Sequence, residues 1–107
     1  MYHDLKWSQS EKKIARHVYD TALEAELAET MAEFKVRAAA VTRPDEMWQL
    51  ESYLGHKRQE IQEKYDYRYS QLIPVFARLL REGRIREDQL RGLSEEKLSY
   101  IRRIVSL

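Results

Sequence analysis

Between Ser8 and Ala40 the chain contains neither Gly nor Pro, and no other feature restricts its fold as much. A mid-helix Gly costs about 1 kcal/mol and a Pro about 3 kcal/mol relative to Ala. A breaker-free run of this length, rich in Ala, Leu, Glu, Lys and Arg, predicts one long helix. Ser8 and Glu11 have the spacing of a capping box at its start. Leu23, Leu27, Met31, Phe34, Ala38 and Val41 recur at intervals of three and four, the stripe of an amphipathic helix. Ile14, Val18, Ala22 and Ala25 make an offset stripe earlier on. The break comes at Thr42-Arg43-Pro44-Asp45. Pro44 disfavours helix at Arg43 but suits the first turn of the next one, with Thr42 or Arg43 as cap. So short a connection predicts an antiparallel helical hairpin.

The second helix is expected over Pro44 to Arg68, and two of its faces look built for contact. Met47, Leu50, Leu54, Ile61 and Tyr65 form a core stripe. At 100° per residue, Trp48, Ser52, Gly55 and Gln59 fall on a separate line, roughly 130° away. A Trp beside small residues on that line suits a second helix approaching closely, since Gly55 lacks a side chain to hold it off. The competing reading folds Trp48 over the rim of its own core.

Beyond Tyr65, Tyr67 and Tyr69, Pro74 predicts a bend or restart around 70–73. Val75, Phe76, Leu79 and Leu80 then bury one face, and Gly83 ends the segment. A short helix over 86–90 and a last helix capped by Ser94, carrying Leu98, Ile101, Ile104 and Val105, complete a small head. The expected architecture is all-α and a single domain over 1–107. A long antiparallel hairpin body (about 8–69) carries a C-terminal helical head (about 70–107), and the chain dimerises through the long helices. A helix of roughly 32 residues is about 48 Å long, whereas a compact chain of this size is about 34 Å across. The overshoot would strand an apolar stripe in water, and a two-fold dimer would cover it.

The composition excludes much chemistry. There is no Cys, hence no disulfide, thiolate metal site or cysteine nucleophile. His3, His17 and His56 form no ligand pair, and Glu24, Glu26 and Glu29 lack the Glu-x-x-His spacing of a di-iron bundle. Neither a phosphate-binding Gly-rich loop nor a nucleophile–base set is visible, so no enzyme and no cofactor is expected. The formal net charge is +1, which provides no field for nucleic acid or an anionic membrane. The start lacks a signal-peptide core and no apolar run reaches membrane-spanning length, so a cytoplasmic location without membrane insertion is expected. The basic head, with eight Lys and Arg from Arg78 to Arg103 against five acids, reads as a solvated surface or as a dock for an acidic partner. DNA binding through it is the weakest alternative.

The run from Met47 to Gly83, MWQLESYLGHKRQEIQEKYDYRYSQLIPVFARLLREG, resembles the fluorescence recovery proteins of cyanobacteria. The most specific blocks are MWQLESYLGHKRQEI, KYDYR and VFARLLREG, in fixed register, and the likeness extends more weakly from Trp7 to the C-terminus. The resemblance implies a helical homodimer without chemistry of its own. Such a protein binds photoactivated orange carotenoid protein, chiefly its C-terminal domain, or a related carotenoid-binding domain of the NTF2-like kind. It speeds the return to the orange state and so ends phycobilisome quenching. In a cyanobacterial cell this would place the cytoplasmic protein near the thylakoid.

Trp48 and Arg58 match the Trp and Arg of the family's dimer-forming helix, and with Ser52, Gly55 and Gln59 of the second face and Glu51 beside it they make up the expected dimer interface. Partner binding falls to Arg58, Lys64, Asp66, Arg68, Pro74, Phe76, Tyr100 and Arg102. Ser52 stands where the family has Asp, and Glu51 where it has His, so an Arg–Asp contact across the dimer would be rebuilt as Glu51–Arg58. Pro74 replaces an aromatic and Tyr100 a Lys. These departures fit a divergent homologue, and the same scaffold redirected to another protein partner is the alternative.

Overall fold

The computed structural model describes residues 2–107 and is all-helical. After a 3-10 turn at Tyr2–Asp4, the first helix, α1, spans Gln9–Ala39. Its start follows from the capping box: Ser8 Oγ accepts from the Glu11 amide at 3.2 Å, and Glu11 Oε1 accepts from the Ser8 amide at 3.0 Å. The second helix, α2, spans Pro44–Lys64, with Arg43 as cap and Pro44 in its first turn, where no intrahelical donor is needed. The two helices form the expected antiparallel hairpin.

α2 ends four residues short of the sequence expectation. Tyr65 leaves helical geometry (φ −100°, ψ 78°), and its surroundings account for this. Tyr19 Oη donates to the Tyr65 carbonyl at 2.7 Å, and Tyr65 Oη donates to Glu26 Oε1 at 2.7 Å. The Tyr65 amide still donates to the Ile61 carbonyl at 2.9 Å, but its carbonyl takes the Tyr19 hydroxyl in place of a further helical amide, and the Glu26 bond holds the side chain. The chain then crosses to α3, Leu72–Arg81, with Pro74 in its first turn. Gly83 has φ +73°, the left-handed geometry that closes the helix. A 3-10 turn over Glu87–Leu90 leads to α4, Glu95–Val105, whose cap Ser94 accepts from the Lys97 amide.

α3 and α4 pack closely on each other and on the near half of the hairpin. Leu72, Ile73, Phe76, Ala77, Leu79, Leu90 and Ile101 are buried with Ala15, Val18 and Ala22 of α1. Glu11 ties the two ends of this core: its second oxygen accepts from the Ser94 amide at 2.9 Å, while Lys97 Nζ reaches Oε1 at 3.2 Å. Burial of its own would raise the Glu11 carboxyl, but the amide bonds and Lys97 outweigh it and hold the group below its ordinary range.

The far half of the hairpin has no such core. No residue of α1 beyond Glu26 is buried, and in α2 only Ile61 and Lys64 are. The stripes read from the sequence are therefore only partly internal. Ile61 and Tyr65 are buried, Leu50 and Leu54 half-buried, and Met47 is exposed, as are Leu27 and Met31. Trp48 is 63% exposed, so it does not fold over a rim of its own chain. The molecule measures 54 × 23 × 21 Å with a radius of gyration of 16.9 Å, against about 13 Å for a compact chain of this length.

Candidate functional site

An open groove of about 700 Å³ runs along the hairpin between α1 and α2. Leu23, Leu27 and Thr30 of α1 form one side, and Leu54, Ile61 and Tyr65 lie towards the other. Glu51, Gly55 and Arg58 share the lining. The two faces that the sequence separates on α2 thus meet here: the supposed core stripe supplies Leu54 and Ile61, the second face supplies Gly55. Ser52 and Gln59 are exposed and lie outside the lining. Among the described residues, five of the seven exposed large apolar side chains lie on the hairpin: Leu27, Met31, Val36, Met47 and Trp48. Leu27 and Met31 share one face of α1, one turn apart, whereas Val36 lies on its opposite side, and exposed apolar side chains at the groove suit an interaction surface.

Two details refine this surface. A Cβ built on Gly55 would meet nothing within 4 Å, so nothing inside the chain requires the glycine. Neither Glu51 nor Arg58 has an ion-pair partner among the described residues.

The other candidates divide into surface and interior. Lys64 and Phe76 cannot present themselves to a partner in this structure, which corrects their reading as contact residues. Phe76 is wholly buried in the head, and the Lys64 side chain is 1% exposed. Lys64 Nζ sits 2.7 Å from both Glu26 Oε2 and Glu82 Oε1, while Tyr65 Oη donates to the other Glu26 oxygen. Arg84 approaches the same carboxylate at 3.4 Å and pairs with Glu29. Burial alone would raise the Glu26 carboxyl, but the bonds from Lys64 and Tyr65 and the two cations hold it below the ordinary range. The network joins α1, the end of α2 and the end of α3. Sequence reasoning missed it because Glu26 and Lys64 are 38 residues apart and each resembles an ordinary solvated helix residue.

Asp66 and Arg68 remain at the surface, folded onto each other through paired hydrogen bonds. Pro74 is half-buried at the start of α3. Tyr100 stacks edge-on against Tyr2, and Arg102 pairs with Glu87 at 2.6 Å. The basic surplus of the head is largely consumed internally. Arg78 pairs with Glu82, Arg84 with Glu26 and Glu29, Arg86 with Asp88, and Lys97 with Glu11. That weakens the reading of the head as an acidic partner's dock. No cluster of three or more His, Asp or Glu suited to a metal ion occurs among the described residues, and no helix there is long and apolar enough to cross a membrane.

Comparison with known proteins agrees with this architecture. The family model described as "Photoprotection regulator fluorescence recovery protein" matches residues 7–105. The fluorescence recovery protein of Synechocystis sp. (strain PCC 6803) is 38% identical over 101 residues, covering 94% of this chain and 93% of that protein. The solved structure of the Fremyella diplosiphon fluorescence recovery protein superposes with a TM-score of 0.89 at 33% identity, covering 95% of this chain and all of that one. The Synechocystis structure gives the same TM-score and coverage at 37% identity. The family match over residues 7–105, the identity over nearly the whole chain and the shared helical fold place this protein in the fluorescence recovery family of photoprotection regulators.

Proposed function

We propose that this protein acts as a homodimer that binds photoactivated orange carotenoid protein, or a related carotenoid-binding domain, and speeds its return to the inactive orange state. The observation that carries the dimer is the open apolar groove, with Trp48 63% exposed beside it. A second copy of the hairpin would bury Leu27, Met31, Met47 and Trp48 together. It would fill the open space over Gly55 and give Arg58 a carboxylate in Glu51 of the opposite chain.

No chemistry is needed for the task. A protein that binds a conformation on the return path better than the activated one lowers the barrier between them. In this reading Asp66, Arg68, Tyr100 and Arg102, with the Pro74 edge of α3, form the head's contact surface. Lys64 and Phe76 act from the interior by fixing that surface on the hairpin.

The test mixes the protein with photoactivated orange carotenoid protein and follows red-to-orange recovery by absorbance. Acceleration that saturates with added protein is expected, and it should weaken with Arg102→Glu. Unchanged recovery in the presence of an intact dimer would reject the proposed partner.

A second reading keeps the scaffold and changes the partner. It is favoured by the head itself, where Pro74 replaces the family's aromatic and Tyr100 packs on Tyr2 of its own chain.

A further inference from the structure

A second groove of about 670 Å³ lies elsewhere on the hairpin and shares no lining residue with the apolar one. Its walls are the first turns of α1 and the segment joining α2 to α3. We propose that it is a docking shelf for an extended acidic protein segment, one with carboxylates on alternate residues.

Lys12, Lys13 and Arg16 bring three cations to the groove, all within about 6 Å along the helix axis. Neither lysine has a carboxylate within ion-pair distance among the described residues. This distinguishes them from most of the head's cations, which are paired internally.

Two of the three are held in place by aromatic rings. The Arg16 guanidinium lies 3.6 Å from the Tyr67 ring centroid and 3.4 Å from Asp20 Oδ1, an exposed pair that a ligand carboxylate would share, and Lys12 Nζ lies 5.1 Å from the Tyr69 centroid. Tyr67 is locked edge-on between Tyr19 and Tyr69, so the platform is built from the interior outward. Cations stacked this way have already lost much of the side-chain freedom that binding would otherwise cost. Tyr69 keeps 39% of its surface exposed and offers an apolar flank.

The geometry selects the ligand. Residues two apart on an extended chain are about 6.6 Å apart on the same side, close to the axial rise of about 6 Å between the backbone positions of Lys12 and Arg16. A carboxylate–spacer–carboxylate segment would meet both. Farther along the same groove Glu24 reverses the sign and Asp20 already partly neutralises Arg16, which repels a continuing polyanion and disfavours a nucleic-acid backbone. The shelf is independent of the proposed carotenoid-protein partner.

The test uses a fluorescein-labelled pentapeptide, Ser-Glu-Tyr-Glu-Ser, and fluorescence anisotropy with the full chain at low salt. A saturable rise is expected with a Kd below about 1 mM, at least tenfold weaker when both Glu are replaced by Gln. Lys13→Glu, at an exposed position, should weaken binding about threefold or more, and Lys12→Glu with Lys13→Glu about tenfold or more. Arg91→Glu with Arg103→Glu makes the same change in net charge on the head and should leave binding within about twofold. Circular dichroism establishes that each variant is folded, and Lys13→Glu decides the matter if the double variant is not. Equal losses in the head and shelf variants would overturn the proposal in favour of non-specific attraction. So would tighter binding of a DNA duplex of similar length, or no saturation by the acidic peptide.

Discussion

Lys64 Nζ lies 2.7 Å from Glu26 Oε2, and both side chains are 1% exposed. The pair anchors the end of α2 to the middle of α1, and Glu82 extends it to the end of α3. Replacing only the lysine leaves Glu26 as a buried carboxylate with too few donors. Lys64→Met should therefore cost about 3–5 kcal/mol. Glu26→Gln keeps an acceptor for Tyr65 Oη and should cost less, about 1–3 kcal/mol. Urea unfolding at neutral pH measures both.

The same network sets the dependence on pH. Burial opposes ionisation of Glu11, Glu26 and Glu82, but their hydrogen bonds and cation neighbours prevail, and all three lie below the ordinary carboxylate range. Groups depressed on folding stabilise fully above their unfolded values and lose that contribution as the pH falls through the folded ones. Stability should be level near neutrality and decline below about pH 4.5. At the other limb, burial and the Glu26 hydrogen bond raise Tyr65. Its contribution is complete below about pH 10 and fades above. Tyr65→Phe should flatten the alkaline decline in denaturant midpoints.

Trp48 should matter to association and hardly at all to the single chain. Its side chain is 63% exposed, so Trp48→Ala should change monomer stability by less than about 0.5 kcal/mol. A tryptophan at the centre of an interface contributes about 2 kcal/mol or more, about 30-fold in the dimer dissociation constant. Sedimentation equilibrium across a dilution series reads the difference.

Gly55 separates the two effects further. With open space around an added Cβ, Gly55→Ala should stabilise the isolated helix by about 1 kcal/mol. The same methyl group would hold off a second helix, so dimerisation should weaken while thermal stability measured in dilute solution rises. Stronger dimerisation in the variant would show that the glycine is not an approach point.

Gly92 behaves in the opposite sense. It has φ +105°, and an added Cβ would lie 2.5 Å from Ile14 Cδ1. Gly92→Ala should cost about 1–3 kcal/mol by strain and crowding together, seen as a lower unfolding midpoint with helicity unchanged.

How much of this was legible depended on the range of the interactions. The start of α1 follows from Ser8 and Glu11, three residues apart, and the hairpin from Pro44; both are local signals. The last turn expected of α2 was lost to Tyr19 and Glu26, whose hydrogen bonds to Tyr65 span 46 and 39 residues. Periodicity identified Met47, Leu50 and Leu54 as apolar-facing but could not say whether their own chain covers them. Of the groove residues, Gly55 was visible as an unusual choice for a helix surface, and Glu51 only through its departure from the family pattern. Lys64 was not: nothing near it in sequence distinguishes a lysine buried between two glutamates from one in water.

The uncovered half of the hairpin also has a consequence in time. Where packing is sparse, helices open locally at small free-energy cost, so amide hydrogens near the Thr42 bend should exchange much faster than those near Glu26. Local opening on microsecond and longer scales makes the tip a fluctuating target, while the head remains fixed. A second molecule arriving at this surface would capture and quieten it, and the slowing of exchange around Trp48 would record how long it stayed.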